Sequence, residues 1–496
     1  MEQLTAVVRT SHGDVRGSVV AGVNTFKGLP FAAPPFGPNR FRAPRPVEPW
    51  PGVRDALAYG PTPITVGLPP AYQVVSPVIP GEDCLNLNVW TPELGPAGLP
   101  VMVWIPGGAF EAGAGSSPWY DGSRFARDGI VCVTINYRVG ADGFLQLGGP
   151  EANLGLLDQV AALQWVQLNV ANFGGDPDNV TIFGESAGGM SVGTLLSMPC
   201  AEGLFRRAMA QSGAAHQVIS ADAARRVSRL FTQRLGVAPT PEAVAAVPSD
   251  RLLRAQLDLK AELMTDPDPE RWGHDVVVSM MPWQPAVDGT VLPAPPIDRI
   301  VAGASAGVDL VVGTTTDEWR LFLVLGGVID GVTLEALTAA VTGYGLPVEA
   351  ALTHYRAAHP DAGPGDLLAA VQTDWYCRVP ALRLADAHAD RPGATYMYEF
   401  DWHSPQYGGT LGACHGLELP FVFDTLGNDT ALLCGDQPPQ QLADAMHAAW
   451  VGFARTGACG WPRYDLGRRA TMRFGTTSEV VDDPRAAERR LWAGVR

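Results

Sequence analysis

A short β-branched and aromatic run, Val180 to Phe183, feeds the turn Gly184-Glu185-Ser186-Ala187-Gly188, and a helical pattern of Ala, Gly, Met and Leu follows. Strand, sharp turn and helix in immediate succession is the geometry of a nucleophile elbow. Small residues must flank the serine because the turn is tight. Its Oγ then stands clear of the backbone, and the N–H of Ala187 points at the oxygen of a bound carbonyl. Two further Gly-x-Ser-x-Gly matches surround Ser191 and Ser305. Glycine is abundant, so chance matches are expected, and context separates the three. Ser191 falls inside the helix that follows the elbow. Ser305 precedes a strand-like run, Val308 to Val312, instead of following one. The reading for those two is packing and a loop.

Strand-like runs at Leu85 to Trp90, Val101 to Ile105 and Ile130 to Asn136 alternate with a helical pattern over Asn153 to Asn172, where Leu156, Leu157, Val160, Leu163 and Val166 recur at helical spacing. This alternation predicts an α/β fold with a mostly parallel, doubly wound central sheet. Residues 6–17 read as a small antiparallel hairpin at the sheet edge, and Thr471 to Phe474 as a late or edge strand. The Pro-rich stretch from Pro30 to Pro51 reads as irregular chain over the surface. Residues 61–82 read as a long loop covering the site. Segments 220–300 and 328–390 read as mainly helical insertions forming a regulatory cap or wall. No linker or repeat divides the 496 residues, so one domain over 1–496 is expected.

The formal net charge of −16 argues against nucleic acid and against an anionic membrane as partners. No apolar run reaches membrane-spanning length, and Met1 to Thr10 lacks the pattern of a signal peptide. The seven cysteines are scattered, with no C-x-x-C, so free thiols in a cytoplasmic protein are expected. A monomer or weak homo-oligomer is the simplest assembly.

A serine hydroxyl needs a base to take its proton and an acid to orient that base. The chain order Ser, then Asp/Glu, then His in α/β-hydrolases filters the candidates. Asp317 and Glu318 follow the run Asp309 to Gly313, at the carboxyl edge where sites on open sheets lie, and spacing alone leaves the choice between them open. His415 lies among small residues in Gly412-Ala413-Cys414-His415-Gly416. His354, His359 and His447 lie in helical patterns. For the oxyanion, the run Val101 to Ile105 ends in Pro106-Gly107-Gly108-Ala109-Phe110, whose small residues leave backbone N–H groups free.

Several further segments stand together in this chain: Phe173-Gly174-Gly175 through Gly188, Glu82-Asp83-Cys84-Leu85 through Pro92, Phe26 to Ala32 with Pro34-Pro35 and Arg40-Phe41, Asn136-Tyr137-Arg138, and His415 through Phe423. On these residues the chain resembles the type B carboxylesterases, the family of bacterial para-nitrobenzyl esterases and cholinesterases, and the resemblance implies the α/β-hydrolase fold. The resemblance implies a triad of Ser186, Glu318 and His415, oxyanion donors at Gly108, Ala109 and Ala187, and a supporting role for Ser212 beside the triad. It implies hydrolysis of small to medium apolar or aryl esters through an acyl-enzyme, with a small-molecule ester as partner and neither a metal nor an organic cofactor. Carbamate or amide hydrolysis on the same triad is the alternative. A non-catalytic binding protein of the same fold is a third reading, disfavoured because such members lose the nucleophile. Phe110, Phe144 and Trp319, with Trp119, are candidates for the pocket wall. Three departures stand out: Pro106 where the family usually has His, Trp319 where Gly usually follows the acid, and Cys84 without an upstream cysteine to pair with.

Overall fold

In a computed structural model, residues 3–65, 76–148 and 151–495 are described. The chain opens with the hairpin β1 (Gln3–Arg9) and β2 (Asp14–Val20), followed by β3 (Val23–Pro30) and the short β4 (Val53–Asp55). Next come β5 (Asn86–Thr91), β6 (Leu99–Ile105), β7 (Val131–Ile135), β8 (Gly175–Glu185) and β9 (Arg207–Gln211). The last four are β10 (Asp309–Thr315), β11 (Thr395–Phe400), β12 (Ala470–Phe474) and β13 (Glu479–Asp482). They form one sheet in the order β1-β2-β3-β5-β7-β6-β8-β9-β10-β11-β12-β13, with β4 beside β2. Every pairing from β7–β6 through β11–β12 is parallel, and the antiparallel pairs lie toward the two edges. This is the mostly parallel sheet that the alternating pattern predicts.

Burial explains why the central strands are apolar along their length. In β6, Val101, Val103 and Ile105 enter one core cluster, while Met102 and Trp104 enter the cluster on the opposite face. Successive side chains point to opposite sides of a strand, and helices cover both faces, so neither face tolerates polar residues. The helix predicted over Asn153–Asn172 runs from Leu154 to Asn169 and ends in a tight turn, Val170–Phe173. The segment 220–300 holds the helices Ala221–Leu235 and Ser249–Thr265, and 328–390 holds Leu334–Gly343, Val348–Ala358, Pro364–Thr373 and Val379–His388.

The Pro-rich stretch corrects its expectation. It is irregular, but it does not simply lie over the surface: Phe31, Ala32, Arg40 and Phe41 are buried. Arg40 Nε donates to Asp142 at 2.9 Å and Nη1 to the Val247 carbonyl at 3.2 Å. The motif Asn136-Tyr137-Arg138 is likewise an anchor. Arg138 donates through Nε and Nη2 to both carboxylate oxygens of the fully buried Asp158, at 2.8 and 2.7 Å. Of the loop 61–82, residues 66–75 lie outside the described residues. Its two described ends are drawn together, with the Thr62 N–H donating to the Ile79 carbonyl at 2.9 Å.

Candidate active site

The loops that leave β6, β8, β10 and β11 at their carboxyl ends converge on one cavity of about 300 Å³. Ser186 sits between β8 and the helix Ala187–Leu195, with φ 56° and ψ −125°. That left-handed backbone is sparsely populated for a residue with a side chain and costs roughly 1–3 kcal/mol. The strain is held by a hydrogen bond from the Ser186 N–H to the Gln211 carbonyl at 2.9 Å, and by Met190 donating to the Ser186 carbonyl at 2.8 Å. The flanking glycines are obligatory. A Cβ on Gly184 would lie 2.6 Å from the Gly188 carbonyl carbon, and one on Gly188 would lie 2.0 Å from the Ile105 oxygen.

Glu318 is fully buried. Its Oε1 accepts from the Thr315 N–H at 2.9 Å, and its Oε2 accepts from His415 Nδ1 at 2.5 Å. The ring tautomer follows, because a carboxylate needs a donor. The other ring nitrogen, Nε2, makes no hydrogen bond among the described residues and stands 3.0 Å from Glu185 Oε1, out of line for one. The His415 imidazole and Ser186 line the same cavity. Asp317, the neighbouring carboxylate, faces Arg320 and His403 instead.

After β6 the backbone of Gly108, Ala109 and Phe110 is left-handed at three successive residues, with φ of 121°, 55° and 58°. Glu111 and Ala112 both donate to the Gly108 carbonyl at 2.9 Å, which closes the turn. No described residue accepts from the N–H of Gly108 or Ala109, and Ala187 carries the first N–H of its helix, free by helix geometry. Pro106, where the family usually has His, is steadied by the Tyr137 hydroxyl, which donates to its carbonyl at 2.8 Å.

The electrostatics are unusual for so buried a place. Burial resists charging His415, but the carboxylates of Glu185 and Glu318 override it and hold its pKa well above the ordinary histidine value. Burial pushes Glu185 up to about 7, with His415 opposing and Glu318 reinforcing the rise. Burial, together with Glu185 and Glu318, also drives Glu418 well above the carboxylate range. Burial raises the Cys377 thiol to about 12, and nearby Glu318 adds to the effect. Of these groups, Glu185 and His415 line the cavity that also presents Ser186.

The Carboxylesterase family model matches residues 4–492. The chain belongs to the carboxylesterase family. It is an enzyme that hydrolyses carboxylic esters. The chain is 39% identical to the para-nitrobenzyl esterase of Bacillus subtilis strain 168, over 98% of both chains. It is 33% identical to the fumonisin B1 esterase of Sphingopyxis macrogoltabida, over 95% of this chain and 86% of that one. A Geobacillus stearothermophilus carboxylesterase superposes with a TM-score of 0.86 at 40% identity, covering 98% of this chain and 100% of that one.

Three of the aromatic residues expected on this carboxylesterase's pocket wall are placed elsewhere. Phe110 is fully buried and packs edge-on against Phe144 at 5.0 Å within the core. Trp319 stacks on Tyr376 at 3.7 Å and is not on the wall. The apolar wall comes instead from Trp119, Tyr120, Leu321, Phe322 and Leu419, with Phe322 leaning over the His415 ring at 5.3 Å. Ser191 is inside its helix and accepts from Gln159 at 3.0 Å, while Ser305 donates to the Leu196 carbonyl at 2.6 Å. His447 is held by the Val422 carbonyl at 2.8 Å, in the helix Gln440–Thr456. Ser212 is buried beside the elbow, its N–H donating to the Gly313 carbonyl at 2.8 Å. Glu185 and Glu418 escaped the sequence reading, although both stand inside the motifs that name the serine and the histidine. All seven cysteines are free, six of them buried and Cys200 exposed. Among the described residues no helix is long and apolar enough to cross a membrane.

Proposed function

We propose that Ser186, His415 and Glu318 form the catalytic triad of this ester hydrolase, and that the N–H groups of Gly108, Ala109 and Ala187 form its oxyanion hole. The observation that carries the reading is the 2.5 Å bond from His415 to Glu318 on the wall of the cavity that also presents Ser186. His415 Nε2 takes the Ser186 proton as Oγ attacks the ester carbonyl. The oxyanion gathers the three free N–H groups, an arrangement worth several kcal/mol in a water-poor site. The alcohol leaves with the proton from His415. Water then attacks the acyl-enzyme with His415 again as base, while Glu318 holds the ring and balances its charge. Ser212 supports the turn that carries the nucleophile.

The substrates are small to medium apolar or aryl esters. A cavity of about 300 Å³ with a largely apolar wall supports this. The described end of loop 61–82 reaches the cavity at Ser76, which lines it and accepts from the Gly113 N–H at 3.0 Å, and this supports a covering role for that end. The free thiols favour a reducing compartment, the cytoplasm. Hydrolysis of para-nitrophenyl acetate, butyrate and octanoate, with a matched anilide beside each, tests the reading. Turnover of the shorter esters far above the octanoate and the anilides is expected. Equal rates on esters and anilides, or a preference for octanoate, would overturn the assignment.

A further inference from the structure

The ester mechanism leaves unused a buried thiol that lies beside its acid and its base. Cys377 stands in a π-helical turn, Asp374–Arg378, between the helices Pro364–Thr373 and Val379–His388. Such turns admit an extra residue and recur at functional sites. The Cys377 Sγ is buried and lies 3.6 Å from the Ser212 carbonyl. One donor atom each from Glu318, Cys377 and His415 lie within 4.8 Å of one another, and among the described residues this is the one cluster of three such donors so close together.

We propose that Glu318, Cys377 and His415 form a latent inhibitory site for a thiophilic divalent cation of the zinc and cadmium class. Carboxylate, thiolate and imidazole are the donor set such ions select. Bonds of about 2.0–2.3 Å at tetrahedral angles set donors on one ion roughly 3.3–3.7 Å apart, so the cluster closes on an ion with side-chain shifts of about an ångström. On binding, the thiol releases its proton to solvent and the sulfur donates an electron pair to the ion; no redox change is involved. The proton on His415 Nδ1 passes by way of solvent to Nε2, so that Nδ1 gives its lone pair to the ion; Glu318, now a ligand, no longer orients the imidazole, and the protonated Nε2 cannot take the Ser186 proton. The base is then locked and ester hydrolysis stops until the ion is removed. Neither Ser186 nor the oxyanion loop is touched.

The inhibition rests on the triad reading above, whereas binding of the ion does not, so the two are measured separately. Wild type, Cys377→Ala, the near-isosteric Cys377→Ser and a Cys200→Ser control are titrated with zinc chloride during para-nitrophenyl butyrate hydrolysis. Each is normalised to its own metal-free rate. In parallel, cadmium chloride is added without substrate and the ultraviolet thiolate-to-cadmium band is followed. Wild type and Cys200→Ser should lose activity at micromolar zinc, regain it with EDTA, and show one cadmium band per chain. Both Cys377 variants should lack the band, and those that retain turnover should need more than about tenfold more zinc. Inhibition or a band that survives in the Cys377 variants, or that disappears in Cys200→Ser, would overturn the site. A band lost in the Cys377 variants without any inhibition of wild type would support the site and overturn the role of His415.

Discussion

His415 Nε2 stands 3.0 Å from Glu185 Oε1, so the ring that Glu318 orients through Nδ1 is flanked by a second buried carboxylate. Two negative neighbours in a low-dielectric setting favour the imidazolium, which is useful once His415 has taken a proton and a hindrance before it has. The site therefore stabilises the charge that develops during reaction at the cost of a base that is harder to free.

That trade sets the pH profile. The base must be neutral to act, and Glu185 raises its pKa. Removing the carboxylate in Glu185→Gln lowers the His415 pKa, so the neutral base persists further into acid. The acid limb of kcat/KM against pH should move to lower pH in the variant. A limb that stays in place or moves to higher pH would refute the coupling.

Glu185 also links stability to pH. Its folded value of about 7 lies above the ordinary 4.5 of an unfolded glutamate, so the folded chain binds that proton more tightly. The contribution is fully present below about 4.5, declines between 4.5 and 7, and above 7 the buried carboxylate costs roughly 3 kcal/mol relative to acid conditions. The melting-temperature difference between Glu185→Gln and wild type should be more positive at pH 8 than at pH 5. The opposite order would show that Glu185 is stabilised as a carboxylate.

Asp317 joins the two loops that carry the acid and the base. Its N–H donates to the Ala413 carbonyl and its Oδ2 accepts from the Ala413 N–H, each at 3.0 Å. Two residues away the His415 N–H donates to the Glu318 carbonyl at 3.2 Å. Asp317→Ala releases the side-chain half of that tie. A fall of about tenfold to a hundredfold in kcat, with a smaller change in KM, is expected from misplacing the base. Steady-state kinetics with para-nitrophenyl butyrate provide the check.

The pair Arg138–Asp158 carries stability rather than chemistry. Both side chains are almost fully buried, and Asp158 also accepts from the Arg138 N–H at 3.0 Å. Asp158→Ala leaves a buried guanidinium without its partner and should cost about 3–5 kcal/mol. Urea unfolding at neutral pH measures it.

The elbow was legible because its chemistry is local: Gly184 and Gly188 are demanded by contacts a few residues away and against β6. The strand Arg207–Gln211 was not, because it contains no β-branched residue and becomes a strand only through parallel neighbours on both sides. Thr395–Phe400 carries the strand signal in Tyr396, Tyr398 and Phe400, and the sequence reading does not place it. Spacing could not separate Asp317 from Glu318, since one faces surface cations and the other a buried ring only after folding. Composition does not place the pocket wall: Phe110 and Phe144 pack against each other in the core and Trp319 stacks on Tyr376, partners that only the folded chain brings together. Glu185 was visible beside the serine, but only the converging loops bring its carboxylate to His415.

The most direct measurement compares para-nitrophenyl butyrate hydrolysis by wild type and Ser186→Ala at equal concentration. Loss of about 10⁴-fold or more in kcat, with the fold retained by circular dichroism, is the predicted result for a serine that acts with its base as a unit. Comparable turnover in the folded variant would contradict the account, because the nucleophile would then lie elsewhere.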